Sequence, residues 1–187
     1  TELLEQFSRT FDIHPLVMED VLSLGQRPKI EERGDQIFCI LKMLYRAPGS
    51  GDIIDEQVSV VFGRNYVLTF QEMPGDVFDL IRRRIQASGG RIRGEGADYL
   101  AYAFIDAIVD HYFVVLEAMN ERIESLQDHV MENASAETLK SIHALKREII
   151  FMRKNAWPVR EVVSFLEKSE SELIADDTRP YLRDVYE

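Results

Sequence analysis

The stretch between Gly96 and Pro158 contains neither proline nor glycine, although both punctuate the chain before it. Proline breaks a helix and glycine weakens one, so this stretch favours long, uninterrupted helices. Apolar residues recur in it every three or four positions, which is typical of a helix with one apolar seam. Two such stripes are present, namely Leu116, Met119, Ile123, Leu126 and Val130, and then Leu139, Ile142, Leu145, Ile149 and Met152.

A short turn separates the two stripes. Residues 133–135 (NAS) supply it, and Ser135 is a favourable N-cap for the second helix. We therefore predict a long helix from Tyr99 to about Glu132, capped by Asp98, that forms an antiparallel hairpin with a second helix. A further helix is predicted to begin within residues 176–180 (DDTRP).

Residues 1–97 show shorter elements. Pro15 is suited to the first position of a short helix after His14. Residues rich in strand formers predict an edge strand at 29–32, a strand at 37–45 and a hairpin of strands 56–62 and 66–71, followed by a helix at 77–86. The glycine-rich residues 89–96 are predicted to be a flexible connector. We therefore divide the chain at residue 97 and predict an α+β fold, in which a sheet with helices against it precedes the helical hairpin.

Composition excludes several classes of protein. A hydrophobic content of 45% with 29% charged residues is ordinary for a globular chain. The net charge of −11 argues against a nucleic-acid partner, because phosphate binding needs a basic surface. Cys39 is the only cysteine, so an internal disulfide framework is excluded, and its apolar neighbours predict a buried thiol. No motif for a nucleophile, zinc hydrolase or phosphate loop is present, so we do not predict an enzyme.

The most distinctive feature is an acidic stripe on the first long helix. At 100° per residue its members fall within an arc of roughly 80°, on the side away from the apolar seam. They are Asp106, Asp110, Glu117, Glu121, Glu124, Asp128 and Glu132. The pattern by itself favours a solvated helix face, and the alternative is a surface at which divalent cations or a basic partner offset the repulsion.

Several blocks of this sequence, in the same order, resemble the cytosolic domain of CorA magnesium/cobalt channels. They are residues 11–22 (FDIHPLVMEDVL), 26–31 (QRPKIE), 56–59 (EQVS), 75–79 (GDVFD), 97–100 (ADYL), 106–110 (DAIVD), 145–148 (LKRE), 157–162 (WPVREV) and 178–186 (TRPYLRDVY). They are distributed over nearly the whole chain, from residue 11 to residue 186.

This resemblance implies an α/β/α sandwich in residues 1–97, and a long helical hairpin with the start of a stalk helix in residues 98–187. It implies that the beginning of the α/β domain precedes Thr1. It also implies that two transmembrane helices, with a Gly-Met-Asn motif, follow residue 187. The parent protein would be a homopentamer in the cell membrane, and the present residues would lie in the cytoplasm.

The resemblance also implies regulatory sites for Mg²⁺, with Co²⁺ as a further cation, between neighbouring cytosolic domains. The family's acidic ligands fall on Glu19, Asp20, Asp106 and Asp184. Our hypothesis is that Asp20 and Asp184 form the closest bridging pair, while Glu19 and Asp106 form a second, more hydrated site. Mg²⁺ at these sites would stabilise a closed pentamer.

Two other functions remain open from the sequence. One is the cytosolic domain of a zinc or other transition-metal transporter, although four carboxylates favour hard cations over zinc. The other is a soluble helical module whose acidic stripe binds a basic partner.

Overall fold

The computed structural model describes residues 2–47, 49, 51–87, 89–132 and 135–187. The elements, in chain order, are α1 (Glu2–Thr10), α2 (Pro15–Leu22), β1 (Lys29–Arg33), β2 (Gln36–Arg46), β3 (Ile53–Gly63), β4 (Val67–Phe70), α3 (Asp79–Gln86), α4 (Arg91–Gly94), α5 (Ala97–Glu132), α6 (Ala136–Lys168) and α7 (Arg179–Tyr186).

Within the described residues, the strands form one antiparallel sheet in the order β1-β2-β3-β4. Strands β2 and β3 pair from Gln36–Gly63 at one end to Arg46–Ile53 at the other. The predicted edge strand and the predicted hairpin are therefore confirmed. Gly63 ends β3 where a Cβ atom would lie 2.7 Å from the Tyr66 ring, so the close approach of that ring requires glycine.

The sheet is covered by helices on both faces, as in an α/β/α sandwich, but α5 and α6 form much of one layer, so the sandwich is not confined to residues 1–97. Ile37, Cys39 and Leu41 of β2 belong to a large core with α5 and α6. The alternate residues Phe38 and Ile40 belong to a smaller core with α2. Because successive strand residues point to opposite faces, α2 and α5 lie on opposite sides of the sheet. The α+β fold is confirmed, and the Cys39 thiol is fully buried, as predicted.

Helices α5 and α6 form the predicted antiparallel hairpin. Arg122 of α5 forms an ion pair with Glu148 of α6, and a Tyr112 hydroxyl donates to the Lys42 carbonyl, which ties α5 to the sheet. Ser135 is the N-cap of α6 and accepts a hydrogen bond from the Thr138 N–H at 3.2 Å, which confirms that prediction. The other two predicted turn residues, 133 and 134, lie outside the described residues.

The two predicted apolar stripes are only partly buried. Met119, Leu145 and Met152 are buried and join the large core, whereas Leu116, Val130, Leu139, Ile142 and Ile149 are exposed. By length and composition, residues 97–131 of α5 are also apolar enough to cross a membrane. In this fold, Ile105 and Ile108 are fully buried in the core, which accounts for part of that apolar character.

The prediction that Asp98 caps α5 is wrong. Helix α5 already begins at Ala97, and the Asp98 carboxylate instead accepts a hydrogen bond at 2.9 Å from the Ala175 N–H, 77 residues later. Arg179 holds the same α6–α7 linker by donating to the carbonyls of Glu167 and Ser169 at 3.0 and 2.6 Å. These contacts fix the start of α7 at Arg179, which lies within the predicted range of residues 176–180.

Two helices were not predicted. Helix α1 is short and has no buried residue, although its apolar residues Leu3, Leu4 and Phe7 lie at helical spacing. Helix α4 lies in the glycine-rich segment that was predicted to be a flexible connector. Tertiary contacts hold its single turn, because Arg93 donates to the Ile85 carbonyl and the Arg91 guanidinium lies 5.1 Å from the centre of the Tyr181 ring.

Candidate cation-binding carboxylates

The four predicted site residues fall into two pairs. Glu19 and Asp20 lie on α2, whereas Asp106 lies on α5 and Asp184 on α7. Because α2 and α5 cover opposite faces of the sheet, one protomer does not bring all four carboxylates together. Within the described residues, no three acidic, histidine or cysteine side chains are grouped so that they could hold a metal ion.

Asp106 and Asp184 line one cleft of about 390 Å³, together with Asp110. Asp106 is half-buried, while Asp110 and Asp184 are exposed. Burial raises the pKa of Asp106, and the charges of Asp110 and Asp184 raise it further. The hydrogen bond from the Tyr102 hydroxyl acts to lower this pKa but does not outweigh the other effects. The ionised carboxylates therefore destabilise one another here, and a bound cation would relieve that repulsion.

A cluster of tyrosines positions Asp184 beside Asp106. The ring of Tyr181 on α7 lies 5.3 Å from that of Tyr99 and 5.4 Å from that of Tyr102, both on α5. The Tyr102 hydroxyl lies 3.3 Å from an Asp106 carboxylate oxygen. Since Tyr181 and Asp184 are three residues apart on one helix, the cluster orients the Asp184 side of α7.

Asp20 has a different environment. Its Oδ2 atom lies 2.6 Å from the Lys29 ammonium, and its Oδ1 accepts a hydrogen bond from Gln26 at 2.9 Å. Burial acts to raise the pKa of Asp20, but the hydrogen bonds from Lys29 and Gln26 outweigh it, so the pKa is lowered. Asp20 is therefore a well-stabilised anion, next to the exposed Glu19.

The acidic stripe of α5 is confirmed as largely solvent-facing. Its exposed members are Asp110, Glu117, Glu121, Glu124 and Asp128, while the Glu132 side chain lies outside the described residues. Asp106 is the exception, since it is drawn into the cleft beside α7. The sequence periodicity found the stripe but could not separate Asp106 from the other members, because that depends on where α7 packs.

Sequence reasoning also missed the partners of the site residues. Lys29 follows Asp20 by nine positions and lies on a strand, so no helical spacing links them. Asp110 was noticed only as a member of the stripe. No signal in a single sequence predicts either contact.

Comparison with known proteins concerns the family and the fold of this chain. The model of a family described as CorA-like Mg²⁺ transporter protein matches residues 1–187. The cobalt/magnesium transport protein CorA of Thermotoga maritima is 44% identical over 187 residues, which are all of this chain and 53% of that protein. The chain thus spans about half the length of the curated relatives it matches.

Solved structures share the fold at low sequence identity. The soluble domain of CorA from Methanocaldococcus jannaschii aligns with a TM-score of 0.83 at 20% identity, over 99% of this chain and 73% of that one. The cytoplasmic domain of ZntB from Vibrio parahaemolyticus aligns with a TM-score of 0.77 at 16% identity, over 98% and 71%. At these identities the likeness concerns the fold alone.

Proposed function

Since this chain belongs to the CorA-like Mg²⁺ transporter family, we propose that it is the cytosolic regulatory part of a magnesium or cobalt channel in the cell membrane. In this proposal Glu19, Asp20, Asp106 and Asp184 bind Mg²⁺ between neighbouring protomers. The bound cations stabilise a closed pentamer, and the chain senses the cytosolic Mg²⁺ concentration.

The observation that carries this proposal is the unfavourable environment of Asp106. Its carboxylate is half-buried beside Asp110 and Asp184, and its pKa is raised for that reason. Carboxylate oxygens are the ligands that Mg²⁺ prefers, and Mg²⁺ keeps several waters, so weak and reversible binding suits such a cleft. The donor set of the cleft therefore fits the proposed cation.

The two pairs of carboxylates complement each other between protomers. Asp20 lies on the opposite side of the sheet from Asp184, so the pair that we propose as the closest bridge joins Asp184 to Asp20 of an adjoining copy. A cation that binds only this closed arrangement stabilises it by mass action. When Mg²⁺ falls, repulsion returns and α7 is free to shift, which would transmit the change toward the pore.

The test is a double substitution, Asp20→Ala with Asp184→Ala. Thermal unfolding and limited proteolysis are measured in EDTA and in excess MgCl₂. We expect Mg²⁺ to protect the parent chain and the double variant to lose that protection. The matched control is Glu124→Ala with Asp128→Ala, which removes two exposed charges of the acidic stripe. Protection of the Asp20/Asp184 variant equal to that of the parent would refute the site assignment.

The second candidate is the one that the sequence left open, the cytosolic domain of a zinc or other transition-metal transporter. The described residues favour the first candidate, because the cleft offers carboxylates, whereas zinc sites recruit histidine or cysteine. Repeating the protection assay with ZnCl₂ distinguishes them. A zinc response at concentrations far below those of Mg²⁺, lost on replacing the same carboxylates, would favour the second candidate.

A further inference from the structure

The carboxylate of Asp20 already has a cation at contact distance, supplied by its own chain. The Lys29 ammonium lies 2.6 Å from Asp20 Oδ2 and 3.1 Å from Glu31 Oε1. Gln26 donates to the other oxygen of Asp20 at 2.9 Å. Both oxygens of the proposed Mg²⁺ ligand therefore have a donor.

Lys29 is held in place by the fold. It is the first residue of β1, where it pairs with Ile40 of β2. Its ammonium lies 5.9 Å from the centre of the Phe38 ring, and its side chain is one-third exposed. The ammonium is thus attached to the sheet and directed at α2, and it does not depend on a mobile loop for its position.

We propose that Lys29 is an internal competitor of Mg²⁺ at Asp20, and that it sets the Mg²⁺ concentration at which the regulatory site fills. This inference rests on the proposed function, because it takes Asp20 to be a ligand of the intersubunit site. A cation that approaches Asp20 must displace the lysine ammonium or bind beside its charge.

The chemistry of the carboxylate allows this competition. An ionised carboxylate offers about four lone-pair sites, and two of them are engaged by Lys29 and Gln26. A hydrated Mg²⁺ can use the remaining sites through its waters. The ammonium nevertheless opposes it, and for a divalent cation about 5 Å away in water, Coulomb's law makes that repulsion worth about fivefold in affinity after salt screening.

The experiment compares Mg²⁺ titrations of the parent chain and of Lys29→Met, which removes the charge and keeps an apolar side chain of similar length. The readout is the MgCl₂ concentration that gives half-maximal protection from thermal unfolding. We expect Lys29→Met to lower that concentration about fivefold. A substitution that only damaged the fold would weaken the response to Mg²⁺, which is the opposite result.

Three variants complete the design. Lys29→Arg keeps the charge and should keep the half-maximal concentration within about threefold of the parent. Arg64→Gln removes an equal charge from an exposed ion pair with Glu172, which does not contact Asp20, and controls for net charge. Adding Asp20→Asn to Lys29→Met should abolish the gain. If Lys29→Met does not fold, Lys29→Gln takes its place.

The outcomes separate this inference from the proposed function. If the parent chain responds to Mg²⁺ and Lys29→Met has the same half-maximal MgCl₂ concentration, the inference alone is overturned. A gain that survives Asp20→Asn, or that Arg64→Gln reproduces, also overturns it, because the effect is then not at Asp20. A parent that shows no Mg²⁺ response overturns the proposed function and this inference with it.

Discussion

Replacing Asp98 with alanine should loosen the junction between α5 and α7. The Asp98 carboxylate is 8% exposed and accepts the Ala175 N–H at 2.9 Å. This bond joins the first turn of α5 to the linker that precedes α7, and therefore to the segment that carries Asp184. The substitution removes the acceptor and leaves Arg179 as the main remaining polar contact of the linker.

The expected cost follows from the kind of bond. A hydrogen bond to a charged group contributes about 1.5–3 kcal/mol, and the unpaired N–H adds a cost only where water cannot reach it. Ala175 is exposed, so its N–H can bind water. We therefore expect a loss of about 2 kcal/mol in the free energy of unfolding, which corresponds to about 5 °C in Tm for a chain of this length.

The assay is urea denaturation of the parent and the variant, with hydrogen exchange to locate the effect. Asp98→Asn keeps an oxygen acceptor without the charge and should lose about half as much stability. Asp177→Ala removes an exposed carboxylate from the same linker and should change stability by less than about 0.5 kcal/mol. If Asp98→Ala is no less stable than Asp177→Ala, or if exchange rises elsewhere and not in α7, the bond does not hold the junction.

Two further predictions concern the cleft and the hairpin. The raised pKa of Asp106 means that its ionised form destabilises the fold above that pKa, and that the penalty is relieved as the pH falls toward the ordinary value of 3.8. In EDTA at neutral pH, thermal unfolding should therefore show Asp106→Asn to be more stable than the parent, by a difference that closes in acid, whereas Asp128→Asn should show no such gain. Ser135→Ala removes the N-cap of α6 and should cost about 1 kcal/mol locally, seen as faster hydrogen exchange in the first turn of α6, with Ser141→Ala in the helix interior as the control.

The elements that the sequence predicted correctly are those specified by local pattern. The strand formers of β2 and β3 and the long stretch without proline or glycine leave the backbone few alternatives. Ser135 was predicted to be the N-cap of α6 because a capping hydrogen bond involves only the first turn of the helix that follows. In contrast, α4 is held by contacts of Arg91 with the Tyr181 ring and of Arg93 with the Ile85 carbonyl. The prediction of a flexible connector was based on glycine content alone and was therefore wrong.

In the candidate site, too, local sequence predicts some features, whereas contacts between distant residues determine the others. The resemblance gave four carboxylates, but their environments depend on long-range packing. Asp98 was predicted to be a helix cap from its neighbours in the sequence alone, whereas its hydrogen-bond donor, the Ala175 N–H, is 77 residues away. Likewise, no spacing rule indicates that Lys29 neutralises Asp20 or that α7 brings Asp184 to Asp106.

The placement of the carboxylates also constrains how copies would assemble under the proposed function. In an interface with two-fold symmetry, the same patch serves both partners, so Asp20 and Asp184 would have to share one patch. They lie on helices that cover opposite sides of the sheet, so a bridge between them joins two different surfaces. Such a contact repeats from copy to copy, and it ends only when the copies close into a ring. The proposed bridge therefore favours the ring that the family resemblance implies over a simple dimer. Because each Asp184 then needs its neighbour's Asp20, Lys29 would act at every interface of the ring.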